Sequence, residues 1–354
     1  MINRHFFFAI FLCNLFFSCS AQHLKNKSYT DFVIADDKIF ALTSGGHLDI
    51  LTTTTYLEVD TGVSGGRPIK KLAVDKNGSI VVIEVNDKLA IFKRKQLTFT
   101  PLYSSKNKVY DVVFNKTNIA YLITNKGIED ASTGEVYKPD TSFHLNKQVG
   151  GWGRPTTTFT DKNDNIWIGS GFGEWGGELY VFSTVEKKFI KPALNGFEID
   201  LYPVKSIFGG TTAVYISFGL DHMETSGCIM QFTDFKCKPV FTSETHWKKS
   251  SDSTQKSVDG EYIGPAAFNA KDNCIYFYSQ NGIFRGNIDK NLSEIDSWKK
   301  IASPKLHWTY GQRDAVGSPM NVLKMAFAAN GKLFLITQSD GIGVYDGKTF
   351  QLLN

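Results

Sequence analysis

The sequence is short of the features that announce most chemistries. It has 10 Pro and 5 Cys in 354 residues. After the N-terminus it has no run of about 18 apolar residues, and hence no internal membrane span. Its net charge of +4 is spread along the chain without a long basic run, which argues against a nucleic-acid partner. There is no H-E-x-x-H zinc motif and no phosphate-binding loop. The Gly-rich stretch 169–177 lies between two strand-like runs, not between a strand and a helix, so it does not suit a nucleotide phosphate. No cysteine spacing fits a zinc site. The "DKNGS" and "DKNDN" segments have no Glu at the twelfth position of a calcium loop and read better as type I turns. No metal or cofactor is therefore expected.

Aromatic residues make up 14% of the chain, and there are 31 Gly. That balance favours a β-rich fold with many tight turns. The first residues differ from the rest. Arg4 and His5 precede an apolar run from Phe6 to Phe17, followed by Ser18-Cys19-Ser20-Ala21. This order of charged, apolar and small residues is that of an export signal. Leu15-Phe16-Phe17-Ser18-Cys19 resembles the lipobox of bacterial lipoproteins in the loose, Phe-rich form of the Bacteroidota, which implies lipidation at Cys19. Ordinary cleavage after Ala21 is the alternative. The expected layout is a signal over 1–21, a tether over 22–28 and a folded domain over 29–354. No acidic run follows Cys19, so the expected location is the periplasmic side of the outer membrane. A secreted or periplasmic protein is the alternative, and an N-terminal lipid is the only expected membrane contact.

Cys228, Cys237 and Cys274 remain beyond the leader. Cys228 and Cys237 bracket a turn expected at Phe232-Thr233, which would set them opposite one another on paired strands and within disulfide reach. Two buried free thiols are the alternative.

A unit of about 40–50 residues recurs, and such periods signal repeat architectures. Its clearest copies begin at Leu72 ("LAVDKNGSIVVIEVNDKLAIF"), Thr158 ("TFTDKNDNIWIGSGFGEWGGELYVF"), Ala267 ("AFNAKDNCIYFYSQNGIFRG") and Ala326 ("AFAANGKLFLITQSDGIGVYDG"). Weaker copies begin near Asp31, Val109 and Val204. Each reads as four strands with Asn-Gly or Asp-Asn turns. Seven four-stranded antiparallel units predict an all-β fold, a single seven-bladed β-propeller. The third and fifth copies are weak, which leaves six or eight blades as alternatives. The last copy holds four strands of its own, so closure by strand exchange is not expected. Residues 158–190, with "NDNIWIGS" and "GGELYVFSTVEKKF", resemble the propeller repeats of hybrid two-component sensors. The resemblance implies architecture only, because this chain lacks the kinase, receiver and DNA-binding domains that such sensors append.

In an up-and-down blade, the first-to-second and third-to-fourth turns lie on one face of the disc. The second-to-third loops and the links between blades lie on the other. The first-to-second turns are short, whereas 139–155, 170–178, 218–227, 244–264 and 303–319 are long. All five are expected on the second face, hereafter the link face. That face collects Trp152, Arg154, Glu174, Trp175, Asp221, His222, His246, Trp247, Tyr262, His307, Trp308 and Arg313 as candidate ligand contacts. Loops on a rigid scaffold are where binding groups concentrate, although long loops gather aromatic and polar residues for other reasons too. Aromatic platforms beside charged groups suit a glycan or peptide, or a protein partner. The second class is an enzyme. Either His144, His222, His246 and His307 would converge on a metal, or a His or Tyr with a nearby Arg would abstract a proton from a uronate and stabilise the resulting charge, as in propeller-type polysaccharide lyases.

Overall fold

The computed structural model describes residues 28–64, 67–221, 225–243, 246–249, 255–258, 260–307 and 321–353. Asp221 and the short strands His246–Lys249 and Gln255–Val258 are described as backbone only. Cys19 and the rest of the expected signal and tether up to residue 27 lie outside the described residues.

Among the described residues, the strands form seven four-stranded antiparallel sheets and one two-stranded sheet. Every four-stranded sheet keeps its strands in sequential order. This is a seven-bladed β-propeller, and the six- and eight-bladed alternatives fall away. The innermost strands are Tyr29–Ala35, Ile69–Val74, Val109–Phe114, Thr157–Thr160, Val204–Gly209, Ala266–Asn269 and Val322–Phe327. Each touches the next around the ring, and the last touches the first.

Burial explains the strand sequences. The second strand of a blade is covered on both faces, so it reads as a continuous apolar run and not as an alternating one. All of Ala120–Thr124 and all of Leu333–Thr337 are buried. Successive residues serve opposite neighbours. Ile80 and Val82 pack with Phe40 and Leu42 of blade one, while Val81 and Ile83 pack with Val109 and Leu122 of blade three. The same arrangement gives a buried cluster at each of the seven junctions. Outermost strands have one side in water, and Thr98–Ser104 is largely exposed.

The ring closes without strand exchange, as expected from the sequence, because blades one and seven each keep four strands of their own. Phe334, Ile336 and Ile342 pack on Tyr29, Phe32 and Ile39 across the seam. Lys324 Nζ donates to Asp31 Oδ1 at 2.7 Å and to the Phe32 carbonyl at 2.8 Å. Asp31 also accepts from the Leu72 backbone N–H of blade two at 3.2 Å, and Lys71 Nζ lies 3.4 Å away. One carboxylate thus ties blades seven, one and two. Burial pushes the Asp31 pKa up, but the charges of Lys324 and Lys71 outweigh it and hold the carboxyl below the usual aspartate range.

The short turns hold themselves together. Asp161 Oδ1 accepts from the backbone N–H groups of Asn163 and Asn165 at 2.7 and 2.9 Å, and its Oδ2 accepts from Trp167 Nε1 at 2.9 Å. Asp75 does the same for Asn77 and Ser79. Turns also grip their neighbours. Lys116 N–H donates to Asp164 Oδ1 at 2.8 Å, and Lys76 N–H to Asn118 Oδ1 at 2.8 Å.

The expected disulfide is corrected. The hairpin of blade five turns at Asp234 and Phe235, both in the left-handed region (φ 48° and 61°), two residues beyond the expected turn. Cys237 therefore pairs with Phe232, and Cys228 with Thr242. Cys228 lies four residues from Cys237's partner along one strand, about 13 Å at the usual rise, beyond disulfide reach. Cys228, Cys237 and Cys274 are all free and buried.

Asp31→Asn should destabilise the fold by about 3 kcal/mol, because two lysines lose a buried partner. A depressed carboxyl pKa gives stability that is present above its unfolded value, 3.8, and lost as pH falls through the folded value. The gap between wild type and D31N in urea titrations should therefore be full at pH 7 and close in acid.

Candidate functional site

The described parts of the long links meet the second-to-third loops on one face. In the 139–155 link, Asn146 Nδ2 donates to the carbonyls of Trp175 and Gly177 at 2.8 and 3.0 Å. Leu145 N–H donates to Glu178 Oε1 at 2.9 Å. In the next link, Glu261 accepts from Ser279 Oγ, and from Asn281 Nδ2 at 2.7 Å. In the link after that, His307 N–H donates to Asp340 Oδ2 at 2.9 Å. Its ring Nδ1 also meets Asp340 Oδ1.

The Gly-rich loop of blade four has a steric cause. It makes one 3₁₀ turn, Gly173–Trp175, and then passes under the link that follows the blade. At Gly176 (φ 76°), a Cβ would sit 2.2 Å from the backbone carbon of Asp200. At Gly177 it would sit 2.7 Å from the Tyr202 carbonyl. Glycine is required there by close approach, and the loop tip is pushed outward.

The structure divides the candidate residues. Trp175 is 51% exposed, and Arg154 and Glu174 are exposed on the same face. Trp152 is half-buried. It packs on Tyr180 and Phe189 with centroids 5.3 and 6.0 Å away, and its Nε1 donates to the Thr124 carbonyl at 2.6 Å. Its role is to seal the junction of blades three and four. Tyr262 is 2% exposed and packed against Gly219 and Gly264, so it belongs to the core and is not presented to a ligand. His307 is exposed, on nearly buried Asp340. Asp221, His246 and Trp247 are described as backbone only, and His222, Trp308 and Arg313 lie outside the described residues.

Beneath this face the seven innermost strands enclose a central cavity of about 580 Å³. Four of its charged lining residues come from one repeated position. Asp31, Lys71, Asp111 and Lys324 pair with Leu42, Ile83, Ile123 and Ile336, equivalent residues of the second strands. Each follows an irregularity in the ladder, and such bulges re-aim side chains. Ser206 holds the same place in blade five. Lys71 Nζ lies 3.4 Å from Asp31 and 3.9 Å from Asp111, and Thr158 Oγ1 donates to Asp111 at 2.9 Å. Burial works against the charge of Lys71. Asp31 and Asp111 nonetheless hold its pKa above the ordinary lysine range, against repulsion from Arg154. Sequence reasoning missed this ring. Its signal is a charged residue recurring at one position of mainly apolar innermost strands, with Lys70 beside Lys71 in blade two.

Glu178 was missed too. It is fully buried where the 139–155 link crosses blade four. Burial pushes its carboxyl above the ordinary glutamate range, although the N–H groups of Leu145 and Leu179 oppose the shift. Among the described residues, no group of three or more His, Cys, Asp or Glu is arranged to hold a metal ion.

No protein-family model matches the chain, and no curated protein does. Solved structures share its fold at low identity. One is described as the extracellular domain of a hybrid two component system, BT4673, from B. thetaiotaomicron. It is 13% identical with a TM-score of 0.55, and the match covers 90% of this chain and 38% of that one. The chain thus spans well under half of that structure. Streptogramin B lyase is 13% identical with a TM-score of 0.55, over 93% and 94% of the two chains. The WD40 repeats of RRP9 are 9% identical with a TM-score of 0.56, over 88% of each chain. These likenesses establish a β-propeller and extend no further.

Trp152→Phe should lower stability by about 1 kcal/mol through one lost buried hydrogen bond, whereas Trp175→Ala should leave it within about 0.5 kcal/mol. Glu178 gives stability that is fully present below its unfolded value, 4.5, and lost as pH rises through the raised folded value. Glu178→Gln keeps an acceptor without the charge. It should gain on wild type as pH rises from 4.5, as read by chemical denaturation across pH.

Proposed function

We propose that this chain is an exported, lipid-anchored β-propeller that binds a small polar ligand at the link-face mouth of its central cavity. One observation carries the reading. The mouth leads into a concave, polar-lined space of about 580 Å³, within the range of small-molecule sites. A protein dock would call for a flatter, apolar surface. Trp175, Arg154 and Glu174 stand exposed on the same face, where an indole and two charged groups suit a glycan or a short peptide. The loop sorting read from the sequence adds Trp308 and Arg313, from the link between blades six and seven, which lie outside the described residues. Export and lipidation rest on the leader and on Cys19. The fold shared with an extracellular domain supports an exterior setting.

Catalysis is the second reading, and it too has an observation in its favour. Asp340, nearly buried, engages both the ring Nδ1 and the backbone N–H of His307. A carboxylate on Nδ1 fixes an imidazole's tautomer and raises its basicity. The propeller-lyase chemistry considered above would use such a base.

A glycan and peptide screen on purified protein tests the first reading. Trp175→Ala and Trp308→Ala should each weaken a hit about tenfold while leaving Tm nearly unchanged. Equal loss of stability and binding would make the indoles packing groups. His307→Ala should leave binding in place, and loss of turnover on a uronate-containing polymer would favour the lyase. Metabolic palmitate labelling that disappears in Cys19→Ala tests the anchor.

A further inference from the structure

The sequence has no long basic run, yet the fold assembles a basic sector from separate segments. At the link-face end of blades two and three it gathers Arg67, Lys70, Lys88, Lys106, Lys108 and Lys126. Hydrogen bonds stitch their segments side by side. Val85 N–H donates to the Pro68 carbonyl at 3.0 Å, Val109 N–H to Asp87 Oδ1 at 2.8 Å, and Asn125 N–H to the Lys108 carbonyl at 2.9 Å. All six residues but Lys70 are exposed. Segments 67–70, 84–88, 104–108 and 124–129 also carry three carboxylates, Glu84, Asp87 and Glu129. Asp87 is paired with Lys70, and Glu84 is half-buried. Glu129 is 3% exposed and accepts from Tyr103, Ser105 and Asn107. Counted whether paired or not, six cations against three carboxylates leave an excess of three. Val85, 52% exposed, stands at the loop tip among them. The entry of the chain adjoins this sector. Ser44 N–H donates to the Ser28 carbonyl, and Ile69 N–H donates to the Gly46 carbonyl of the same blade-one loop. Ser28 is thus one loop away from Arg67 and Lys70.

We propose that this basic sector docks on anionic phospholipid headgroups of the membrane that holds the Cys19 lipid. The proposal rests on the lipid-anchor part of the reading above and adds a second contact, made by folded residues. Each basic group close to such a surface adds about fivefold to binding, and salt screens the attraction over about 10 Å at 0.1 M. Val85 can enter the headgroup boundary while the long lysine stems keep their ammonium groups among the phosphates. A soluble acidic polymer would match the charge, but it would give Val85 nothing to enter and has no reason to sit beside the chain entry. Docking through one sector leans the disc onto blades two and three. Blades five and six stay raised, so the bilayer does not seal the cavity mouth.

The test uses the exported chain carrying Cys19→Ala, which has no lipid. It is sedimented with vesicles of phosphatidylcholine alone, or of phosphatidylcholine mixed with phosphatidylglycerol. The mixed vesicles should bind it about tenfold or more tightly, and more weakly as salt is added. Lys106→Glu together with Lys108→Glu should weaken that binding about twentyfold or more, with Tm unchanged. Lys93→Glu together with Lys95→Glu makes the same change in net charge at an exposed turn of blade two on the opposite face. It should leave binding within about threefold of the parent. Equal binding to both kinds of vesicle would overturn the proposal, as would equal losses in the two double variants. Capture by a soluble polyuronate without binding to the mixed vesicles would overturn it in favour of an acidic polymer. The anchor itself is judged separately, by palmitate labelling of wild type, so either reading can fail while the other stands.

Discussion

A toroid of independent blades has one weak place, the seam between its first and last members. Many rings could close it by lending a strand across. This one uses a carboxylate set among ammonium groups. Asp31 receives Lys324 from blade seven and a backbone N–H from blade two, while apolar side chains of blades one and seven interlock behind it. The arrangement is workable because every partner is already fixed on a strand. An isolated buried ion pair gains little over apolar packing. A carboxylate that satisfies backbone donors on two blades gains register as well. The seven innermost strands can then stand at one spacing, which sets the width of the cavity they enclose.

The two ends of that cavity are built differently. On one side, tight turns are tied internally by Asp75 and Asp161 and to one another through Asn118 and Asp164. The first-to-second turns on that face are short. On the other, the links are long and are pinned at a few points: Asn146 on blade four, Glu261 on blade six and His307 on blade seven. Most of the long connections lie on this side, over a floor of short, internally bonded turns; residues 288–298 of blade six are an exception on the other face. Binding residues are commonly found in this setting.

Much of the fold was legible in the sequence. The second strands announce themselves because burial on both faces demands unbroken apolar runs, and the short turns because Asp and Asn bond their own backbones. Chain reversal then sorted the loops by face, and every described link agrees with that sorting. The failures have physical causes. Trp152 and Tyr262 read as a binding platform because they are aromatic residues in loops, but the links fold down over the junctions and take these rings with them. The cysteine pairing failed because Asp234 and Phe235 both adopt left-handed backbone angles, which moves the hairpin centre by two residues. The charged ring went unseen because one polar residue in an apolar strand looks solvent-facing. Only the closed geometry turns four such residues toward a common axis.

The chain enters the first blade on the link side, where the Ser28 carbonyl accepts from the Ser44 N–H and Ser28 Oγ donates to the Gln338 carbonyl. Whatever precedes it departs beside the opening. A lipid on Cys19 would then act as a short leash. Nine residues can reach about 30 Å at full stretch, so such a leash would hold the opening within that distance of the bilayer. Solutes would approach from the side through that gap, and large bodies would be kept out by the membrane itself.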